Sequence, residues 1–360
     1  MKNINIENIV CPHIKKMSAY SSARAEYKGK DAIFLDANEN SLGSVTKTLH
    51  NRYPDPLQMK VKTKLAEIEA VNTEQIFLGN GSDECIDVLI RCFCEPQKDK
   101  IIVCPPVFSM YEHAANIQNV GIKEILLLPE TFQLDINAIL NQIANDKHIK
   151  IIFICSPNNP TGNLIKKEDI EIILNQFDGL VVVDEAYQDF ATNTSWVSEL
   201  NQYKNLVVIK TFSKVWGMAD ARIGMLYADE QIIAYMNTIK MPYNVNQYSQ
   251  NLAVEALQNI QQKNKYVKEL IVGKNYLEQE LKTINYIQKV YPTDANFILI
   301  KIKDANALYN YLVENHIVVR NRDKAPLLKG CLRISVGTRQ ENEQLITILN
   351  KYTAQAAFVI

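Results

Sequence analysis

Net charge is nearly absent from this chain, with 39 Lys and Arg residues against 40 Asp and Glu and a formal charge of −1 over 360 residues. No block of like charge occurs either. The chain therefore has no general attraction for nucleic acid or an anionic membrane, and any preference for an anion has to be local. Long apolar runs are also missing: none reaches the roughly 18–20 residues of a membrane span. Met1 to Val10 mixes Asn and Glu with isoleucine, which is not the apolar core of a secretion signal. Together these absences predict a cytoplasmic protein. The seven cysteines, at 11, 85, 92, 94, 104, 155 and 331, contain no C-x-x-C pair and lie mostly in apolar segments. They read as small buried hydrophobes in a reducing compartment, and no metal site is expected. No repeat, low-complexity tract or long Gly/Pro/Ser linker marks a domain boundary. The abundance of Asn, Ile and Lys is compositional bias without functional content.

At 360 residues a single core usually stops growing, so a large domain with a smaller companion is expected. The reading is an N-terminal arm over 1–30, a large domain over 31–265 and a small C-terminal domain over 266–360. Short apolar runs rich in Ile and Val, at Ile101–Cys104, Ile151–Cys155, Leu180–Val183 and Leu206–Ile209, have the composition of strands buried on both faces. Helical stretches such as Ile136–Ile143 and Glu168–Phe177 lie between several of them. The class is α/β with a mostly parallel sheet. Before this alternation, Ala32–Asp36 predicts a short strand, Met59–Val71 a helix, and Ser82 an N-cap for the amphipathic helix after it. Beyond the alternation, Val267–Ile284 predicts a helix, and Ala295–Ile300, Val318–Arg320 and Leu332–Val336 predict strands of a smaller α+β unit. Alternation places Arg333 on the opposite face from Leu332 and Ile334.

Open sheets of this kind bind ligands at the carboxyl ends of their strands. Past Cys104 stands Pro105-Pro106-Val107-Phe108-Ser109-Met110-Tyr111, with an aromatic at Tyr111. Past Cys155 stands Ser156-Pro157-Asn158-Asn159-Pro160-Thr161-Gly162, a rigid turn with two amides. Past Val183 come Asp184 and Tyr187, and past Ile209 comes Thr211-Phe212-Ser213-Lys214, with Arg222 close behind. A lysine amine is a nucleophile only when held, partly desolvated and near compensating charge, since its ordinary pKa is about 10. Thr211, Ser213 and Arg222 beside it offer two hydroxyls and a guanidinium fork, a set suited to a phosphate monoester. Gly81 and Ser82, at another helix start, add free backbone N–H groups. Lysine plus phosphate cradle suggests pyridoxal phosphate, which also needs an acid beside its ring nitrogen, a part Asp184 fits. Tyr187 and Asn159 are placed to hydrogen-bond the ring's phenolic oxygen, and Tyr111 to stack on its face.

These residues carry a resemblance. The chain is similar to fold-type I pyridoxal-phosphate aminotransferases of class II, and within them it closely resembles the histidinol-phosphate aminotransferase family. Asp36-Ala37-Asn38-Glu39-Asn40, Arg52-Tyr53-Pro54-Asp55, Gly79-Asn80-Gly81-Ser82-Asp83-Glu84, Ser156–Gly162, Val183-Asp184-Glu185-Ala186-Tyr187, Thr211–Lys214 and Leu332–Thr338 match it in order, over nearly the whole chain. The resemblance implies a large domain with a mostly parallel sheet, a smaller C-terminal domain, and a homodimer with shared active sites. In it Tyr53 reaches the cofactor phosphate of the neighbouring subunit, and Asp83 belongs to the cofactor-binding set. Asn38 lines the substrate pocket, and the Tyr20–Arg24 arm folds over it with Tyr20 at the substrate's phosphate. Arg333 takes the carboxylate of glutamate, Arg320 helps to hold the phosphate of histidinol phosphate, and Arg322 assists either. The chain departs from the family where Asn40 is followed by Ser41 instead of proline, and where Pro105-Pro106-Val107 replaces a Pro-Thr start.

The implied reaction is transamination of L-histidinol phosphate with 2-oxoglutarate, giving imidazole acetol phosphate and L-glutamate in histidine biosynthesis. Lys214 serves as covalent anchor and then as proton carrier, with Asp184 and Tyr187 as its catalytic companions. Same-fold alternatives are a threonine-phosphate decarboxylase and an aromatic amino-acid aminotransferase. A non-catalytic pyridoxal-phosphate sensor that regulates transcription would need a basic DNA-binding module, for which the first 30 residues or so are too few.

Overall fold

Both faces of the central sheet are dry, and the reason lies in how its strands are composed. The computed structural model describes residues 4–18 and 32–356, with side chains to residue 352. The strands of the large sheet are β1 (Ile76–Asn80), β2 (Lys100–Val103), β3 (Gly121–Glu124), β4 (Ile149–Cys155), β5 (Leu180–Asp184), β6 (Leu206–Thr211) and β7 (Ile223–Ala228). In β5, Val181 and Val183 join the core on one face while Leu180 and Val182 join the core on the other; β6 divides in the same way. Such strands bury every side chain, so they lack polar alternation and read as continuous apolar runs.

The spatial order is β1-β7-β6-β5-β4-β2-β3. β2 to β6 run parallel, and β7 is antiparallel to both β6 and β1. Helices Ile136–Asn145 and Lys167–Gln176 cover one face, and Gly81–Phe93 and Glu230–Ile239 the other. Ile4, Ile6, Ile9, Val10, Cys11 and Ile14 also pack into that second core. The described part of the expected arm, residues 4–18, thus contributes to the large core, through the apolar residues clustered between Ile4 and Ile14. Tyr20 and Arg24 lie outside the described residues.

The C-terminal unit is a four-stranded antiparallel sheet ordered β10-β11-β9-β8, formed by β8 (Ile287–Val290), β9 (Phe297–Ile302), β10 (Arg320–Asn321) and β11 (Cys331–Ser335). Its core includes Leu277, Ile298, Ile300, Leu308, Leu332, Ile334 and Leu349. A small cluster of Tyr187, Phe190, Val215, Ala295 and Phe297 joins the two sheets directly beneath the Lys214 turn.

Ala32–Asp36 is not a strand. Ile33 and Leu35 are 90% and 81% exposed, and among the described residues the segment belongs to neither sheet, so its β-forming composition does not decide its conformation. Ser82 is not the N-cap either, since the helix begins at Gly81 with Asn80 before it. All seven cysteines are free and buried, and no group of metal-binding residues occurs among the described residues. None of the described helices is long and apolar enough to cross a membrane.

Candidate active site

Strand direction assembles the site. β4, β5 and β6 end side by side, with Cys155 opposite Asp184 and Asp184 opposite Ile209. β7 begins where β6 ends because the two are antiparallel, and Thr211 pairs with Gly224. Arg222, just before β7, therefore arrives beside Ser213 and Lys214. Its carbonyl accepts the Gly81 N–H at 2.9 Å, which brings the Gly81–Phe93 helix start to the same place. Only glycine serves at two of these positions. A Cβ on Gly224 would lie 2.2 Å from the Ser82 nitrogen, and one on Gly81, where φ is +76°, would lie 2.4 Å from Arg222 Nη2.

The result is a cavity of about 420 Å³ lined by residues that include Ser82, Phe108, Asn159, Asp184, Tyr187, Ser213, Lys214, Arg222, Arg320, Arg322 and Arg333. On its floor, Asp184 is buried and accepts a 2.6 Å hydrogen bond from Tyr111 Oη and a 3.0 Å bond from the Ala186 N–H. Burial raises the Asp184 pKa, and these two bonds and Lys214 oppose the rise. Asn159 Nδ2 donates to Tyr187 Oη at 3.4 Å, and Arg333 Nη1 donates to Asn159 Oδ1. The Asn159 turn is itself braced by Asn158, whose Nδ2 donates to the Pro106 carbonyl at 2.9 Å and to Thr161 Oγ1 at 2.7 Å.

Lys214 opens into the cavity with its Nζ 5.6 Å from the centre of the Tyr187 ring. Partial loss of hydration lowers its pKa, Arg333 adds to the lowering, and Asp184 opposes it. Arg322 is pushed down to about 10 by desolvation and by its neighbours Arg333 and Arg320. Arg333 packs its guanidinium 5.1 Å from the Phe297 ring centre. The Nε atoms of Arg322 and Arg333 are buried without a hydrogen-bond partner, so the cluster has unused donors and surplus positive charge in a desolvated setting. That is a binding site for anions.

Some expected residues stand elsewhere, and Asp83 and Thr211, which do line the cavity, have side chains already engaged. Tyr111 is fully buried behind Asp184, stacked on Phe153 at 4.6 Å, and does not line the cavity. Of the two aromatics past β2, Phe108 is the one that lines the cavity. No local signal in the sequence separates it from Tyr111. Asp83 brings a carboxylate that pairs with Arg222 at 3.1 Å, leaving only its backbone as a donor to an anion. Thr211 is occupied by the backbone: its Oγ1 accepts the Ser213 N–H at 3.1 Å and donates to the Ile223 carbonyl at 3.4 Å. Asn38 and Tyr53 line a separate cavity of about 690 Å³, with Glu39, Arg52 and Tyr248 among the other residues around it. Glu39 holds that loop together by accepting from Arg52 Nη1 at 2.7 Å and from the Tyr53 N–H at 2.6 Å.

The donor set fits pyridoxal phosphate: a buried acid near the amine-bearing lysine, aromatic side chains in the lining, and Ser82, Ser213 and Arg222 brought together by close backbone approaches that only Gly81 and Gly224 allow.

Comparison with known proteins agrees with this chemistry. The family profile "Aminotransferase class I and II" matches residues 28–349. Histidinol-phosphate aminotransferase of Cytophaga hutchinsonii is 49% identical over 348 residues, covering 97% of this chain and 99% of that protein. Among solved structures, histidinol-phosphate aminotransferase of Clostridium acetobutylicum superposes with a TM-score of 0.77 at 24% identity, over 84% of this chain and 91% of that one. The enzyme of the same name from Sinorhizobium meliloti, in complex with pyridoxal-5′-phosphate, gives a TM-score of 0.77 at 19% identity, over 84% and 83% of the two chains. At those identities the structural likeness speaks for the fold alone. With the profile spanning most of its length and a near half-identical relative along 97% of it, the chain belongs to the aminotransferase class I and II family and has the fold-type I architecture of pyridoxal-phosphate enzymes.

Proposed function

We propose that the chain transfers the amino group of L-histidinol phosphate to 2-oxoglutarate, with pyridoxal phosphate held at Lys214. The observation that carries this reading is the cavity itself, where one desolvated lysine stands over a buried carboxylate, with Arg222 serving one anion and Arg320, Arg322 and Arg333 left for another. A substrate with a phosphate and a reactive amine matches that second cluster, and relatives named for this activity support the choice.

When bound, the cofactor supplies an electron-withdrawing ring that acidifies the substrate's Cα. Asp184 would hold the ring nitrogen in its protonated form, and Tyr111 and the Ala186 N–H fix the carboxylate for that task. Tyr187 and Asn159 would hydrogen-bond the ring's phenolic oxygen. Arg222, Ser213 and the Ser82 backbone would hold the cofactor phosphate, and Phe108 would pack against the ring. Lys214 would anchor the cofactor and, as a free amine, would carry the proton taken from the substrate's Cα. Its lowered pKa keeps a larger share of the amine in the basic form.

A homodimer completes the reading. Leu42 and Val45 are almost fully exposed on the segment that leads to Tyr53, and Tyr53 lines a cavity separate from the one that holds its own Lys214. Large exposed apolar side chains gathered on one segment are the mark of a surface that another protein covers. A second copy seated there would bring Tyr53 to its partner's cofactor phosphate.

The test is a substrate panel on purified protein loaded with cofactor. Histidinol phosphate, tyrosine, phenylalanine and threonine phosphate are compared for glutamate formation, and threonine phosphate also for carbon dioxide release. Glutamate from histidinol phosphate well above the others is expected. A preference for phenylalanine, or carbon dioxide from threonine phosphate, would overturn the substrate.

A further inference from the structure

The segment Lys240–Gln250 touches both the loop that carries Tyr53 and the helix start that faces the cavity. Tyr243 has a left-handed backbone, φ +58°, and its ring stacks on Tyr53 with centroids 4.5 Å apart and planes 16° from parallel. A bulky residue held there is strained and persists only where its surroundings over-determine it. Asn244, the next residue, uses its whole amide. Nδ2 donates to the Leu78 carbonyl and to Glu84 Oε2, both at 2.9 Å. Oδ1 accepts from Gln58 Nε2 and Lys240 Nζ, both at 3.2 Å. The same Glu84 oxygen accepts the Asn80 N–H, immediately before Gly81.

On the loop side the contacts are just as complete. Lys240 Nζ and Gln58 Nε2 each donate to the Pro56 carbonyl at 2.8 Å, and Gln250 Nε2 donates to the Asp55 carbonyl at 3.1 Å. Gln58, Lys240 and Gln250 are all buried. A satisfied polar network in a low-dielectric setting is stiff, because breaking any bond in it strands a desolvated group. One short segment therefore grips the Tyr53 ring and its loop with one hand and the Asn80–Glu84 helix start with the other.

We infer that Tyr243 and Asn244 are positioning residues that set the reach of Tyr53 toward the partner's cofactor phosphate and the Gly81–Ser82 cradle of their own subunit. Each rigid segment then governs one phosphate contact in both active sites of the dimer. This rests on the shared-site dimer proposed above.

The experiment tracks the rate at which pyridoxal phosphate leaves the holoenzyme, read by absorbance after dilution, with sedimentation velocity run on the same samples. Asn244→Ala and Tyr243→Ala each release cofactor about 10-fold faster from a protein that still sediments as a dimer. Tyr243→Phe, which keeps the stacked ring, matches the wild type. Tyr53→Ala combined with Tyr243→Ala is no faster than Tyr53→Ala alone, since Tyr243 acts through Tyr53. Unchanged release from dimeric Asn244→Ala and Tyr243→Ala, or additive losses in the double variant, overturns the inference and leaves the dimer standing. A wild type that sediments as a monomer removes the shared-site reading, and the inference with it.

Discussion

Replacing Tyr111 with Phe removes one oxygen from a closed site and little else. The ring is fully buried, stacked on Phe153 at 4.6 Å and edge-on to Phe108 at 5.6 Å, and Phe keeps both contacts without opening a cavity for water. The loss is the 2.6 Å bond to Asp184 Oδ2, donated to a buried carboxylate. Hydrogen bonds to charged groups contribute roughly 1.5–3 kcal/mol, and a desolvated acceptor left without its donor sits at the upper part of that range. The sign of the pH dependence is set by Asp184. Its folded-state pKa is already raised by burial and is lowered by Tyr111, so the variant raises it further. A group with a raised folded pKa is most favourable to the fold below its unfolded pKa and loses that contribution as pH rises. The deficit of Tyr111→Phe relative to wild type should thus be about 2 kcal/mol at pH 8 and shrink toward the ~1 kcal/mol of a neutral hydrogen bond as pH falls to about 4. Urea unfolding of the two proteins without cofactor, at several pH values and with matching m-values, measures it. Equal stability at pH 8, or a deficit that grows on acidification, refutes the claim that Tyr111 holds the Asp184 carboxylate.

The same geometry sets three further outcomes. Glu185 is buried beside Asp184, receives the Trp196 N–H at 2.8 Å and the Ser195 hydroxyl, and has its pKa raised to about 7 by burial. Its contribution to stability is therefore full below about 4.5 and lost as pH rises toward 7, so Glu185→Gln, a permanently neutral group whose oxygen still accepts the Trp196 N–H while its NH2 donates to Ser195 Oγ, should flatten the slope of unfolding free energy over that window. An unchanged slope assigns the titration to another group. Gly224→Ala should weaken cofactor binding at least 10-fold, because its Cβ would meet the rigid Ser82 backbone at 2.2 Å; equilibrium titration with pyridoxal phosphate reads this, and wild-type affinity refutes the cradle. Mixing inactive Lys214→Ala with weakened Tyr53→Ala and allowing subunits to exchange should restore activity, since each mixed dimer has one site with both residues. No recovery after exchange confirmed by mass spectrometry refutes the shared site.

The parts legible in the sequence were those where a single local pattern decides the outcome. β4, β5 and β6 are written as apolar runs because both of their faces are covered, and the residues just past each run fall at the sheet's carboxyl edge by topology alone. Arg333 faces the cavity because its neighbours Leu332 and Ile334 are buried on the other side of β11. Features that depend on a partner distant in sequence were not legible. Ile223–Ala228 is an antiparallel strand wedged between β1 and β6, and no feature of those six residues states that pairing. Ala32–Asp36 has strand composition, yet among the described residues it belongs to neither sheet. Phe108 and Tyr111 are both aromatics past β2, three residues apart, and only the packing of Tyr111 on Phe153 and Asp184 decides which one lines the cavity. Asn244 is an ordinary loop asparagine until Glu84 and Gln58 come to it from 160 and 186 residues away.

The central claim is that Lys214, and no other lysine, carries the cofactor in a protein that needs it for transamination. Borohydride reduction of the holoenzyme, then proteolysis and mass spectrometry, locates the attachment directly. The pyridoxyl label is predicted on the peptide containing Thr211-Phe212-Ser213-Lys214, at one label per chain, with wild-type protein losing activity and Lys214→Ala taking up none. A label fixed to a different lysine, or a reduced protein that remains unlabelled, would contradict the account.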